Sequence, residues 1–139
     1  MKLTITPTVW ESLEKKQPHF YEPAGEVIYV AGPYRAQRAG QIYDNIAKAR
    51  TVAIHFWQKG YTVICPHLNS AFFDGHVSDD RFLSGDLELL RRSDLVVVLD
   101  GWRTSTGARA EVRLALKLNK PILGEDGHVL SPQEVFFEG

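Results

Sequence analysis

The chain has 139 residues, enough for one domain with a real core, and its 44% apolar and 24% charged residues are ordinary for a soluble globular protein. A net charge of −1 offers no pull toward nucleic acid or an anionic membrane, which leaves small molecules as the natural ligands. A single cysteine, Cys65, excludes an internal disulfide and fits a reducing cytosol, and no apolar run approaches the roughly 20 residues of a membrane span.

The opening stretch MKLTITPTVWESLEKK lacks the apolar block of a signal peptide, so a cytoplasmic protein is expected. Residues 1–25 hold Pro7, Pro18, Pro23 and Gly25 without a sustained period and read as an N-terminal arm, with a short helix near Val9–Lys16. The domain proper is expected over 26–139. Val27–Ala31 is a short β-branched and aromatic run broken by Gly32-Pro33, hence a strand. Ile42, Ile46, Ala49, Ala53 and Phe56 then recur at helical spacing, and Gly60 is expected to cap the end of that helix.

Tyr61–Cys65 reads as a second strand stopped by Pro66, and the polar stretch Asn69–Asp79 as a loop long enough to be functional. Arg81–Arg92 is helical, with Leu83, Leu87 and Leu90 on one side. Leu95–Leu99 is apolar at every position, as a strand covered on both faces must be. A loop at Gly101–Thr106, a helix at Gly107–Leu118, a short strand at Pro121–Leu123 and a final turn or short helix within Val129–Phe137 complete the order.

Strands alternating with helices predict an α/β fold: one doubly wound, Rossmann-like or flavodoxin-like parallel sheet with helices on both faces. Ligands of such sheets bind beyond the C-terminal strand ends, which singles out Gly32–Arg38, Pro66–Asp79 and Asp100–Gly107.

Glu111 is the sharpest chemical signal. The apolar stripe of its helix runs through Ala108, Val112, Ala115 and Leu118, and Glu111 falls on that stripe. A carboxylate on a packing face is costly unless something uses it, although the positive end of the helix dipole helps to keep it ionised. A glutamate that merely complements the dipole or caps the helix is the competing reading. Asp86 lies three after Leu83 and four before Leu90, on the border of its own helix's apolar face. Two carboxylates roughly 5 Å apart are what retaining glycosyl transfer requires, one attacking and one managing the leaving group's proton.

The turn AGPYRA offers free backbone N–H groups and the Arg35 guanidinium, a combination suited to phosphate, although a solvated loop arginine would look the same. No GxGxxG or Walker motif accompanies it. His55, His67 and His76 with Asp74 lack compact ligand spacing, so neither metal nor another cofactor is expected. His67 and Asn69, just past the second strand, are candidates to line a pocket. Cys65 reads as a buried small hydrophobe, and Trp102 either as core-edge packing or as a stacking platform.

Taken together, IYVAGPYR (28–35), DLELLRRSDLVVVLDGW (86–102), STGARAE (105–111) and HVLS (128–131) resemble the nucleoside 2-deoxyribosyltransferase-like superfamily. The phosphate-contacting positions look most like those of its 2′-deoxynucleoside 5′-phosphate N-hydrolases. The resemblance spans about residues 26–131, in order. It implies Glu111 as nucleophile at the anomeric carbon, Asp86 as the acid that helps the base to leave, and Tyr29 as a hydrogen-bonding neighbour of the nucleophile. It also implies Arg35 and Ser105 as contacts to a 5′-phosphate in a site that includes Gly32, Pro33, Tyr34 and Gly107. Ser131 corresponds to a serine supplied across a dimer interface, so a homodimer or higher oligomer with a shared site is implied. The chain departs at Arg109, where relatives often have glycine.

The resulting expectation is cleavage of the N-glycosidic bond of a (deoxy)nucleoside 5′-monophosphate, by hydrolysis in preference to base transfer, without nucleic-acid or membrane partners. Base exchange on unphosphorylated nucleosides and a non-catalytic nucleotide-binding module are the alternatives. A phosphoacceptor receiver domain is discarded: Asp100 ends a central strand, but Ala31-Gly32 stand where its acidic pair belongs.

Overall fold

The computed structural model describes residues 26–71 and 73–137; the expected N-terminal arm and its helix near Val9–Lys16 lie outside the described residues. Four parallel strands, β1 (Val27–Ala31), β2 (Thr62–Ile64), β3 (Leu95–Val98) and β4 (Ile122–Leu123), form one sheet in the order β2-β1-β3-β4. The helices are α1 (Ala39–Gln58), α2 (Pro66–Asn69), α3 (Asp79–Arg91), α4 (Thr106–Lys117) and α5 (Pro132–Phe137), with a single 3-10 turn at Trp102–Thr104. The α/β class expected from the sequence is the fold observed.

The two-residue alternation of the central strands decides which helix each side chain meets. Ile28, Val30, Leu95, Val97 and Leu99 pack with Ala49, Ala53 and Phe56 of α1 on one face. Tyr29, Ala31, Val96 and Val98 pack with Leu90 of α3 and with Ala108, Val112 and Ala115 of α4 on the other. Both faces of β1 and β3 are therefore covered, which is why those runs carry no polar alternation. Right-handed crossovers place α1 on one face because β1 steps outward to β2. They place α3 and α4 on the opposite face because the chain then steps back across β1 to β3 and on to β4. The direction of winding reverses between β1 and β3, and the segments leaving those two strands diverge into a crevice.

Local chemistry sets the boundaries. Gly60 lies one position beyond the cap residue Lys59, with φ 99°. There the Tyr61 N–H reaches the Phe56 carbonyl (3.2 Å) and the Gly60 N–H reaches Trp57 (3.0 Å), a Schellman closure that tolerates left-handed glycine. Ser78, whose hydroxyl accepts from the Arg81 N–H at 3.2 Å, starts α3 two residues earlier than the leucine spacing predicts. The polar stretch 69–79 is accordingly shorter than expected: Asn69 ends α2 and Asp79 begins α3, with an Asp74–Val77 bridge between them. Gly32 meets a different demand. A Cβ there would lie 2.6 Å from Leu99, so the first turn can sink against the exit of β3 only without a side chain.

Candidate active site

At the crevice between the exits of β1 and β3 lies a cavity of about 480 Å³. The first turn contributes Gly32, Tyr34 and Arg35; α2 and its end contribute Pro66, His67 and Ser70; the start of α4 contributes Ser105 to Ala108. Glu111 lines it from α4 and Asp86 from α3, so the two carboxylates singled out in the sequence open into one space. They arrive there because α3 and α4 pack side by side on the same face of the sheet.

Glu111 is only 7% exposed, and Tyr29, fully buried behind the cavity wall, donates its hydroxyl to Glu111 Oε2. The strand's alternation explains the meeting, since Tyr29 points toward the α4 side of the sheet. Burial pushes the Glu111 carboxyl up to about 8; the Tyr29 hydrogen bond opposes that shift and the charge of Asp86 adds to it. Burial also raises Asp86, to about 6. Tyr29 itself is held well above its usual range, first by burial and then by the two neighbouring carboxylates. Between about pH 6 and 8 the pair therefore keeps one proton and one negative charge.

His67 is buried, and its Nε2–H donates to the Pro33 carbonyl at 2.9 Å, a bond that fixes the tautomer. Burial lowers its pKa against that hydrogen bond, so the ring is neutral. Pro33 takes part only through this carbonyl and is not among the lining residues. Asn45, buried on α1 and not singled out in the sequence, donates to the Tyr34 carbonyl at 3.1 Å and holds the turn from the other side.

Arg35 does line the cavity, but its guanidinium faces two carboxylates, Asp74 and, at 2.5 Å, Asp79. Tyr34 donates its hydroxyl to the other oxygen of Asp74 at 2.9 Å. Ser105 lines the cavity while its hydroxyl accepts from the Ala108 N–H at 3.2 Å, capping α4. Gly107 is in the wall beside it.

Three sequence candidates stand elsewhere. Asn69 is exposed at the end of α2, and Ser70 takes the place in the wall. Ser131 accepts from the Glu134 N–H at 3.2 Å and its own N–H reaches the Glu134 carboxylate at 3.1 Å, a capping box at the start of α5 outside this cavity. Arg109 is exposed on α4 and does not narrow the cavity.

Trp102 is 6% exposed and packs in the core beneath the Arg103 guanidinium, 4.6 Å from its ring, so it is no open stacking platform. Cys65 is buried, and burial pushes its thiol up to about 11, which makes it inert. Among the described residues no group of three His, Cys, Asp or Glu side chains is arranged to hold a metal, and no helix is long and apolar enough to cross a membrane. Sequence reasoning reaches Asp79 only as the end of the segment Pro66–Asp79 and does not anticipate Asp80 and Phe82 in the wall, although Ser78 followed by two aspartates is a helix-start signal that could have placed them at the sheet's edge.

Replacing Tyr29 by Phe is expected to lower about tenfold or more any turnover in which an ionised Glu111 takes part, because a hydrogen bond to a charged group is lost. It should also move the ionisation of Glu111 to higher pH, since that bond holds its pKa down. A pH–rate profile reads both effects, and an unmoved profile would reduce Tyr29 to packing.

The family described as a domain of unknown function, DUF4406, matches residues 26–124. No curated protein sequence matches the chain. Among solved structures, the fold is similar to that of a 2-deoxyribosyltransferase from the psychrotolerant bacterium Bacillus psychrosaccharolyticus, with 22% identity, 78% of this chain and 79% of that one covered, and a TM-score of 0.52. It is also similar to the solution structure of BlsM, with 22% identity, 73% and 65% covered, and a TM-score of 0.55. At these identities the likeness shows the α/β fold.

Proposed function

The chain belongs to the DUF4406 family, and for it we propose cleavage of the N-glycosidic bond of a nucleoside-type substrate, with Glu111 as the nucleophile. The observation that carries this reading is a deeply buried glutamate, held by the Tyr29 hydroxyl, that shares a cavity with a second half-buried carboxylate. The fold likeness to a 2-deoxyribosyltransferase supports the same chemistry.

At rest the single proton of the pair is on Glu111, whose pKa is the higher. The form that reacts in the first step is the one in which Asp86 carries that proton, which leaves Glu111 ionised. A Glu111 carboxylate oxygen attacks the anomeric carbon, the carbon–nitrogen bond breaks, and its electron pair leaves with the base, which takes the proton from Asp86. The Tyr29 hydrogen bond orients the attacking carboxylate. In the second step Asp86 accepts a proton from water as the water attacks the anomeric carbon, and Glu111 is released. A second base attacking in place of water gives transfer. Small-molecule chemistry of this kind needs no cofactor. The sequence resemblance also assigns Ser131 to the cavity of a second copy, a role compatible with its position outside the cavity of its own chain.

The test is a panel of nucleosides and nucleoside 5′-monophosphates incubated with wild-type protein and with Glu111→Gln, with free base as the readout. Release by wild type and not by the variant is expected. Silence of the wild type across the panel, or equal release by the variant, contradicts the reading. Adding a second base to the same reactions separates hydrolysis from exchange.

A further inference from the structure

The rim of the cavity is built against anions. Its wall carries five carboxylates, Asp74, Asp79, Asp80, Asp86 and Glu111, and Arg35 is the only lysine or arginine lining it among the described residues. That one cation is already engaged by carboxylates of the rim. One nitrogen of its guanidinium is paired with Asp74 and another with Asp79 at 2.5 Å, while Tyr34 holds the second oxygen of Asp74. Partial burial works against the charge of Arg35, but the hydrogen bonds and charges of Asp74 and then Asp79 raise its pKa and keep it charged. Slight burial likewise opposes the charge of Asp74, yet the Tyr34 hydroxyl and the Arg35 guanidinium hold its carboxyl below the usual range. The four residues come from two segments far apart in sequence, the turn after β1 and the stretch ending at the first residue of α3.

We infer that Asp74 and Asp79 are specificity residues: by occupying Arg35 they deny it to a 5′-phosphate and restrict the cavity to substrates whose sugar end is uncharged. The inference rests on the glycosyl-transfer reading for its substrate class, but its test does not depend on turnover. A phosphate group brought to Arg35 would compete with both carboxylates and would lie beside them and Asp80, an arrangement of like charges that costs affinity at close range. A neutral 5′-hydroxyl meets no such penalty and finds acceptors in the same carboxylates. Discrimination thus arises from an unfavourable contact with the wrong ligand as much as from a favourable contact with the right one. The pairs are exposed, with 46% of the Arg35, 39% of the Asp74 and 70% of the Asp79 side chain accessible. Salt therefore screens them, and the experiment belongs at low ionic strength.

The experiment is calorimetric titration of the full chain with 2-deoxyribose 5-phosphate as the probe. The proteins compared are wild type, the double variant Asp74→Asn with Asp79→Asn, and that double variant with Arg35→Ala added. The double variant is expected to bind the probe at least about tenfold more tightly than wild type, and the added Arg35→Ala to abolish the gain. A merely structural role for the two aspartates would not produce a gain that depends on Arg35. Equal affinities in wild type and double variant, including none in either, overturn the inference, as does a gain that survives Arg35→Ala. Base release from a nucleoside and its monophosphate, measured in parallel, keeps the two readings apart. Failure of release from both strikes the catalytic assignment, whereas an unchanged ratio of the two rates strikes the selectivity assignment alone.

Discussion

Glu111→Gln is expected to abolish base release, by about ten-thousand-fold or more, while leaving the fold intact. The magnitude follows from the proposed role: a side chain that forms the covalent bond has no substitute in the cavity, and removing such a nucleophile costs most of the catalytic advantage. Intact folding follows from the geometry. Glutamine has the shape of glutamate, keeps an oxygen to accept from the Tyr29 hydroxyl, and adds no charge to a site that is 7% exposed. Circular dichroism of the variant separates lost chemistry from lost structure. Asp86→Asn is expected to be milder with substrates whose base leaves easily, since such a base needs little help from an acid.

The second large effect is on stability, and it does not depend on the substrate. Burial raises the Glu111 carboxyl from an ordinary 4.5 to about 8. In the unfolded chain this group loses its proton near its ordinary value; in the folded chain it keeps the proton to about 8. Across that window the folded state binds more protons, so stability falls as pH rises. The stabilising contribution is complete below about 4.5 and is lost as pH rises through 8. The loss is on the order of 5 kcal/mol. Asp86, raised to about 6 by burial, acts in the same direction over a lower window. Glu111→Gln carries no ionisation there and is expected to melt on the order of 10 °C higher than wild type above pH 8, with the gap closing toward pH 4.5. Titrating groups remote from Glu111 are common to the two proteins and cancel in the difference, whereas Asp86 and Tyr29, which feel its charge, do not. A gap that does not change with pH would mean that the folded protein does not resist ionisation of Glu111.

Much of the fold and of the site is legible in the amino-acid order, and particular residues show why. Glu111 breaks the apolar stripe of its helix, and Asp86 sits on the border of another; a helix's period is local, so a charge on the wrong face is visible in a dozen residues. The central strands announce themselves in the same way, since a run such as Leu95–Leu99 has no polar alternation to place at a surface. Tyr29 is different. An aromatic in a strand is ordinary, and only the family resemblance marks it; its contact with Glu111 spans 82 positions and depends on which face of the sheet α4 covers.

The pairing of Arg35 with Asp74 and Asp79 is equally hidden, because it joins segments 39 and 44 positions apart and no periodicity connects a turn to a distant loop. Helix α2 escapes a reading by period because four residues are too few to show one, and Pro66, which reads as a stop, is its first residue. Asn69 and Ser70 illustrate the limit of placing single residues: the sequence points to the correct segment, and a single step along the chain decides which of the two faces the cavity.

The covalent bond proposed for Glu111 is open to direct measurement. Wild-type protein mixed with a nucleoside that releases its base, quenched in acid within the first turnover and digested for peptide mass spectrometry, reads that bond. The expected result is one added sugar residue, less its base, on the peptide that carries Glu111, and no adduct in Glu111→Gln. Base release with no adduct at any quench time, or with the sugar attached to a different residue, would contradict it.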